Sequence, residues 1–364
     1  MINAIQSQFQ PDYVSPPGDT LQEVIDTLGM TQKELALRTG ITKKTINQIV
    51  KGLAGISPET AVCLERTLGV PSSFWNNLEC LYQAGLEKKR EQERLHKHKE
   101  WLKQMPVIEM VRLGWIRDFK NDKLMQLKEL LNYFGVASPE TYRKLWDEIE
   151  VAYRKSTARQ INQKALAAWL RQGELQAKEI DCNTYDKKRF LESLWSLRSL
   201  TVESPDVFVP KAQKTCAECG VLLLFIPELP KTGISGAARW LTQHKALIQL
   251  SLRYKTNDHL WFSFFHEAAH ILKHNKGNVF LDSKECNDND KEQEANRFAS
   301  NILISPSSLK EFKNKGHFTT KDIIHFAKET GVHPGIVVGR LQHDKIIPYT
   351  HFNSLKMKLE WSIG

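Results

Sequence analysis

The sequence predicts a mainly α-helical protein with a small β-sheet in its C-terminal domain, an α+β arrangement. Three observations lead to that reading. Short helices punctuated by caps and glycines fill residues 19–86, and apolar residues recur at helical intervals through the middle third. Buried-strand runs occur only after Gly220, as Val221–Ile226 and Ala246–Leu252. At 364 residues the chain exceeds what one core usually organises, so several domains are expected. The boundaries read as an N-terminal helix-turn-helix bundle over 1–86, a basic helical linker over 87–105, a helical scaffold over 106–217 and an α+β domain over 218–364.

Helix signals are densest at the N-terminus. Leu21–Leu28 forms a first helix closed by Gly29, and Thr31 with Glu34 three positions on has the capping-box pattern that opens a second helix, through Arg38. Gly40 then stops the chain where it must turn sharply. Thr42 caps a third helix, Lys43–Lys51, and Ser57-Pro58-Glu59 starts a fourth. Two short helices joined by a tight Gly-containing turn form the unit that lays its second helix in the DNA major groove. Ile46 and Ile49 can face the core, which leaves Lys43, Lys44, Thr45, Asn47, Gln48 and Lys51 outward as candidate DNA contacts. Lysine suits phosphates or guanine, and Asn and Gln suit bidentate contact to adenine.

The segment resembles the Cro/CI-type helix-turn-helix family, and the runs FQPDYVSPPGDTL and FWNNLECLY resemble its HigA antitoxin branch. The resemblance implies a transcriptional regulator of antitoxin or repressor type. Its expected partners are operator DNA, a second copy of the chain as a homodimer, and a cognate toxin or repressor protein. Asp19–Gly69 carries six Lys/Arg against six acids, so affinity is expected to depend on where charges sit and on pairing of half-sites.

The whole chain has a net charge of +9, which permits a polyanionic partner without requiring one. Glu87–Met105 holds seven Lys/Arg and four Glu with no Gly or Pro, and reads as a solvated helix. In the middle third Leu124, Leu127, Leu130, Leu131 and Phe134 mark one helix, Ser138-Pro139-Glu140 starts another, and further helices are expected over Ile161–Gln176 and Lys187–Leu200. No chemical motif appears there. Lys231–Ser235 reads as loop between the two strands, and a helix is expected from about Asn257.

That last helix carries the most informative residues, His266-Glu267-Ala268-Ala269-His270. Positions i and i+4 share a helical face, so both imidazoles can reach one ion. Glu267, one position past the first ligand, can take a proton from a water that zinc has acidified and pass it to a leaving amine. Catalytic zinc usually has three protein ligands, and the stretch Lys291–Ala299 offers the third. If Ala295, Phe298 and Ile302 pack inward, Glu294 points to the same interior; spacing alone leaves Glu292 as a competitor.

The stretch Gly220–Gln342 resembles the ImmA/IrrE family of zinc metallopeptidase-like proteins. The resemblance rests on Leu247–Leu252, FHEAAHILKH, EANRFASNILISP and GVHPGIVVGRLQ. It implies a zincin-like fold with His266, His270 and Glu294 on zinc and Glu267 as base. The implied activity is that of an endopeptidase acting on a regulatory protein or on itself. The rival expectation is a non-enzymatic antitoxin whose C-terminal domain binds a toxin or ligand. His274 reads as a solvent-facing residue at the helix end, with an oxyanion-donor role as the alternative; Asn296 could support a ligand through a hydrogen bond. Tyr254 and His259 lie near the start of the zinc helix with nothing to orient them.

Cys63, Cys80, Cys182, Cys216, Cys219 and Cys286 are scattered and read as reduced structural thiols, since Cys216-Ala-Glu-Cys219 lacks a second pair. The apolar run Gly220–Ile226 ends at Pro227, far short of the ~20 residues of a membrane span. Met1–Gly18 lacks the basic-then-apolar pattern of a signal peptide. The expected location is the cytoplasm, with no membrane partner.

Overall fold

The computed structural model describes residues 15–146, 162–274 and 288–361. The chain divides into two units, Met1–Lys99 and Glu100–Gly364. In the first, α1 (Pro17–Thr27), α2 (Gln32–Thr39), α3 (Lys43–Val50), α4 (Pro58–Leu68) and α5 (Ser72–Lys97) follow the signals in order. Thr31, Thr42 and Ser57 each accept a backbone N–H three residues on, satisfying a donor that the helix start would otherwise orphan. Gly40 and Gly69 end α2 and α4 at φ of 73° and 72°, a left-handed conformation that a Cβ disfavours. The capping box at Thr31 is half made. Its hydroxyl accepts from Glu34, whose own carboxylate takes Arg38 at 2.6 Å.

Leu21, Ile25, Leu35, Ile46, Leu64 and Trp75 are fully buried and bind the five helices into one core. Backbones meet directly between α1 and α3. A Cβ on Gly18 would stand 2.0 Å from the Ile49 carbonyl oxygen and 2.7 Å from Val50 Cα, so only glycine allows this approach. The helix does not end at residue 86. α5 runs 26 residues through the basic stretch, followed by a 3-10 turn at Lys99–Gln104.

The second unit opens with α6 (Val107–Arg112), α7 (Lys123–Phe134) and α8 (residues 139–146), then α9 (Gln163–Lys178), α10 (Lys187–Ser199) and α11 (Pro205–Glu218). The middle helices belong to the C-terminal fold. Gly173 of α9 lets the backbone come so near that a Cβ would sit 2.0 Å from Gln249 Oε1. Gln249 Nε2 donates to the Trp169 carbonyl (2.6 Å), and Trp169 Nε1 donates to the Ile226 carbonyl (3.1 Å). These bonds satisfy groups that burial would otherwise penalise.

A three-stranded mixed sheet lies on these helices: β1 (Val221–Phe225), β2 (Gly236–Thr242) and β3 (Lys245–Leu250), in the order β1-β3-β2. β1 pairs parallel to β3, and β2 antiparallel. Sequence reading misses β2, because Gly236-Ala237-Ala238-Arg239 lacks the β-branched and aromatic residues that mark strands. The long α12 (Asn257–Lys273) follows, then α13 (Asp288–Leu303), α14 (Pro306–Lys313), α15 (Thr320–Thr330) and α16 (Pro334–His343). The C-terminal segment returns to the start of α12. Asn257 N–H donates to Met357, Leu359 N–H donates to Lys255, and Lys356 Nζ meets the Asp258 carboxylate at 2.7 Å. Arg198 of α10 donates to Ile302 and Leu303 at the end of α13 and to Thr330 at the end of α15, filling orphan carbonyls of two helices with one guanidinium. Among the described residues no helix is long and apolar enough to cross a membrane.

The crossing at Gly18 sets a testable stability effect. Gly18→Ala forces backbone against backbone, where no side chain can yield, and should lower the stability of the N-terminal unit by ~1–3 kcal/mol. Denaturant unfolding checks it. An unchanged midpoint would mean that the helices separate at negligible expense.

Candidate metal centre

α12 owes its placement to an apolar face. Leu260, Trp261, Phe264, Phe265, Ala268 and Leu272 are buried, and the helical period then turns His266, His270 and His274 together along the opposite stripe. His266 Nε2 and His270 Nε2 lie 3.0 Å apart. Glu292 of α13 completes the group, with Oε2 at 3.3 Å from His266 Nε2 and Oε1 at 3.4 Å from His270 Nε2. Two imidazole nitrogens and one carboxylate oxygen thus lie within 4.8 Å of one another. This mixed set of two imidazole nitrogens and one carboxylate oxygen fits zinc.

Glu294, the expected third ligand, is not brought to the histidine pair. Its Oε1 accepts from Lys273 Nζ at 2.9 Å, and its Oε2 lies 3.7 Å from His274 Nε2. The buried face of α13 is set by Ala295, Ala299 and Ile302 rather than by Ala295, Phe298 and Ile302. Phe298 is only partly buried, with the Lys273 ammonium 5.3 Å from its ring centroid. Glu292, Ala295, Asn296 and Ala299 stand at i, i+3, i+4 and i+7 and share a face. Glu294 is two residues on from Glu292, about 200° around the helix, and so cannot share it.

Both histidines have their second nitrogen engaged. Asn296 Oδ1 accepts from His266 Nδ1 at 3.0 Å, as the sequence suggests, and His270 Nδ1 lies 2.8 Å from His274 Nδ1. His274 therefore faces into the site, its side chain only 14% exposed, not out to solvent. Burial, reinforced by His266, lowers the pKa of His270 to about 4, so its ring is neutral near pH 7 and keeps a lone pair for a metal.

Glu267 points off this stripe toward β2. Its carboxyl accepts the Ala238 backbone N–H, and a Cβ on Gly236 would come within 2.9 Å of its Cγ and 3.0 Å of its Oε1. Burial pushes its pKa up to about 7; Glu292 adds to the rise, and His266 and the Ala238 bond oppose it. Gly236 and Ala238 are neighbours of the candidate base that sequence reading missed along with β2. The available signal was a run of small residues in front of the β3 pattern. Tyr254 and His259 stack on each other at 4.2 Å and 24°.

On α3, Ile46 and Ile49 are buried, Lys43, Lys44 and Lys51 are exposed, and Thr45, Asn47 and Gln48 are partly exposed. Thr45 Oγ1 lies 2.9 Å from Thr42 Oγ1, while Asn47 Nδ2 donates to Gln32 of α2 at 3.4 Å. Lys51 is the C-cap of the helix. Cys216 and Cys219 are buried free thiols, and burial raises the pKa of both and of Cys182. Cys286 lies outside the described residues.

Two family models match the chain: the helix-turn-helix model over residues 21–75 and the IrrE N-terminal-like domain model over residues 219–342. The HTH-type transcriptional regulator YddM of Escherichia coli is 33% identical over 63 residues, which cover 17% of this chain and 67% of that protein. Among solved structures, an addiction module antidote protein of the HigA family from Coxiella burnetii is 26% identical. That match has a TM-score of 0.22 and covers 23% of this chain and 92% of the other. The Pseudomonas aeruginosa antitoxin HigA, solved with the higBA promoter, is 25% identical at a TM-score of 0.22, covering 22% of this chain and 90% of the other. The chain belongs to the helix-turn-helix transcriptional regulators through its N-terminal unit, and carries in its second unit an IrrE N-terminal-like domain.

Proposed function

We propose that this regulator binds operator DNA as a homodimer in the cytoplasm and that its C-terminal domain is a zinc-dependent endopeptidase acting on a regulatory protein or on the chain itself. The observation that carries the peptidase reading is the convergence of His266, His270 and Glu292 beside the buried carboxyl of Glu267. Zinc held there would supply Lewis acidity toward a peptide carbonyl. His266 and His270 would hold it through Nε2, and Glu292 through its carboxylate. Asn296 keeps the proton of His266 on Nδ1, away from the centre. Glu267 lies outside the ligand set and next to it in sequence, where its carboxylate can take a proton from the attacking water and return it to the leaving amine. The Ala238 N–H and the missing side chain at Gly236 hold that carboxylate in place.

Metal analysis of purified variants tests the ligand set. Glu292→Gln and His270→Ala should lose most of their zinc, whereas Glu294→Gln should keep close to one zinc per chain. Full zinc in Glu292→Gln together with loss in Glu294→Gln would reverse the assignment.

Glu267→Gln separates binding from chemistry, because it preserves size and every proposed ligand. Zinc content and DNA binding should survive while cleavage falls by ~10²–10⁴-fold. Zinc-loaded protein is incubated with its own chain and with any protein encoded beside it, and fragments are weighed by mass spectrometry. Equal cleavage by parent and variant would remove Glu267 from the mechanism. A parent that cleaves neither but binds the neighbouring protein would instead support a non-enzymatic antitoxin.

For the DNA-binding unit, the exposed lysines of α3 supply the phosphate contacts and the partly exposed Asn47 and Gln48 supply contacts to base edges. Lys43→Ala and Lys44→Ala should each weaken binding and reduce the slope of log affinity against log salt by ~0.9 per lost phosphate contact. Gel-shift titration at several salt concentrations measures both. Slopes equal to the parent's would move the DNA-reading surface elsewhere.

A further inference from the structure

We propose that His274, backed by Glu294 and Lys273, is a positioning residue that sets the tautomer and ring orientation of His270 for metal binding. The inference rests on the zinc reading above. His274 is the C-cap of α12, four residues beyond His270, and its side chain is 14% exposed. Its Nδ1 stands 2.8 Å from His270 Nδ1, a distance that requires one proton between the two nitrogens. His270 turns Nε2 toward His266 and Glu292. That nitrogen can offer a lone pair to an ion only if the ring's proton sits on Nδ1, which makes His274 Nδ1 the acceptor. The proton of His274 is then on Nε2, which has no hydrogen-bond partner among the described residues and meets the charge of Glu294 Oε2 only across 3.7 Å; Glu294 in turn accepts from Lys273 at 2.9 Å.

The chain of contacts parallels the one on the other side of the centre, where Asn296 Oδ1 takes the Nδ1 proton of His266. The two proposed ligands are thus oriented by different acceptors, a carboxamide and an imidazole. Glu294 takes on a role as the carboxylate behind the second of these instead of a place on the metal.

The test uses the full chain and a chromophoric chelator competing for zinc. His274→Ala should weaken zinc binding ~10–100-fold while still reaching one zinc per chain at saturation. His274→Asn restores an acceptor oxygen near the position of Nδ1 and should recover most of the lost affinity. Thermal unfolding of parent and both variants in excess chelator should coincide, which a purely structural role for His274 would not allow. Zinc affinity in His274→Ala equal to the parent's, or no better in His274→Asn than in His274→Ala, overturns the inference. A parent that fails to hold zinc overturns the zinc reading itself, and the inference with it.

Discussion

The packing of α13 on α12 is the constraint on which the candidate centre depends. Ala295 and Ala299 are wholly buried, and their small size lets the second helix approach the imidazole stripe of the first. A bulky residue at either position would push Glu292 out of reach of His266 and His270, because interiors have little free volume to absorb it. The same turn of α13 that brings Glu292 in brings Asn296 to His266, so one helical face delivers both a candidate ligand and the group that orients another. Arg198 fixes the far end of α13 to α10 through two carbonyls, which limits its freedom to slide along α12.

Burial then separates the chemistry of neighbouring side chains. His270 and Glu267 share one helix, yet desolvation acts on them in opposite directions, keeping the imidazole neutral and raising the carboxyl toward neutrality. A neutral imidazole suits a ligand, and a carboxyl that exchanges its proton near pH 7 suits a base. Glu267 stands about 100° around the helix from His266 and about 60° from His270, which turns it off the stripe. One side faces the histidine stripe and the other faces the edge strand β2.

In the N-terminal unit the decisive features are local. Caps at Thr31, Thr42 and Ser57 and left-handed glycines at positions 40 and 69 define three short helices, and Ile46 and Ile49 turn α3 so that its lysines lie outward. Six basic and six acidic residues balance over Asp19–Gly69, so the polarity of this unit comes from which face holds the lysines and not from its total charge.

The sequence alone was enough for the features whose cause lies within about four residues. These include the caps and glycine stops, the amphipathic face of α12, the pairing of His266 with His270, and the buried runs of β1 and β3. It was silent or misleading wherever a distant partner decides. Nothing local marks Gly236–Thr242 as a strand; pairing with β3 makes it one, and small residues are required there because Glu267 occupies the space beside Gly236. Length and charge mark Glu87–Met105 as a helix but cannot say that its first part, through Lys97, continues α5 and that a 3-10 turn follows. The carboxylate expected beside the histidines is Glu294 and the one found there is Glu292, two residues that differ only in the face of α13 they occupy. Helical periodicity allows either face inward, and the burial of Ala299 in place of Phe298 selects one, because only the smaller side chain lets α13 close on α12.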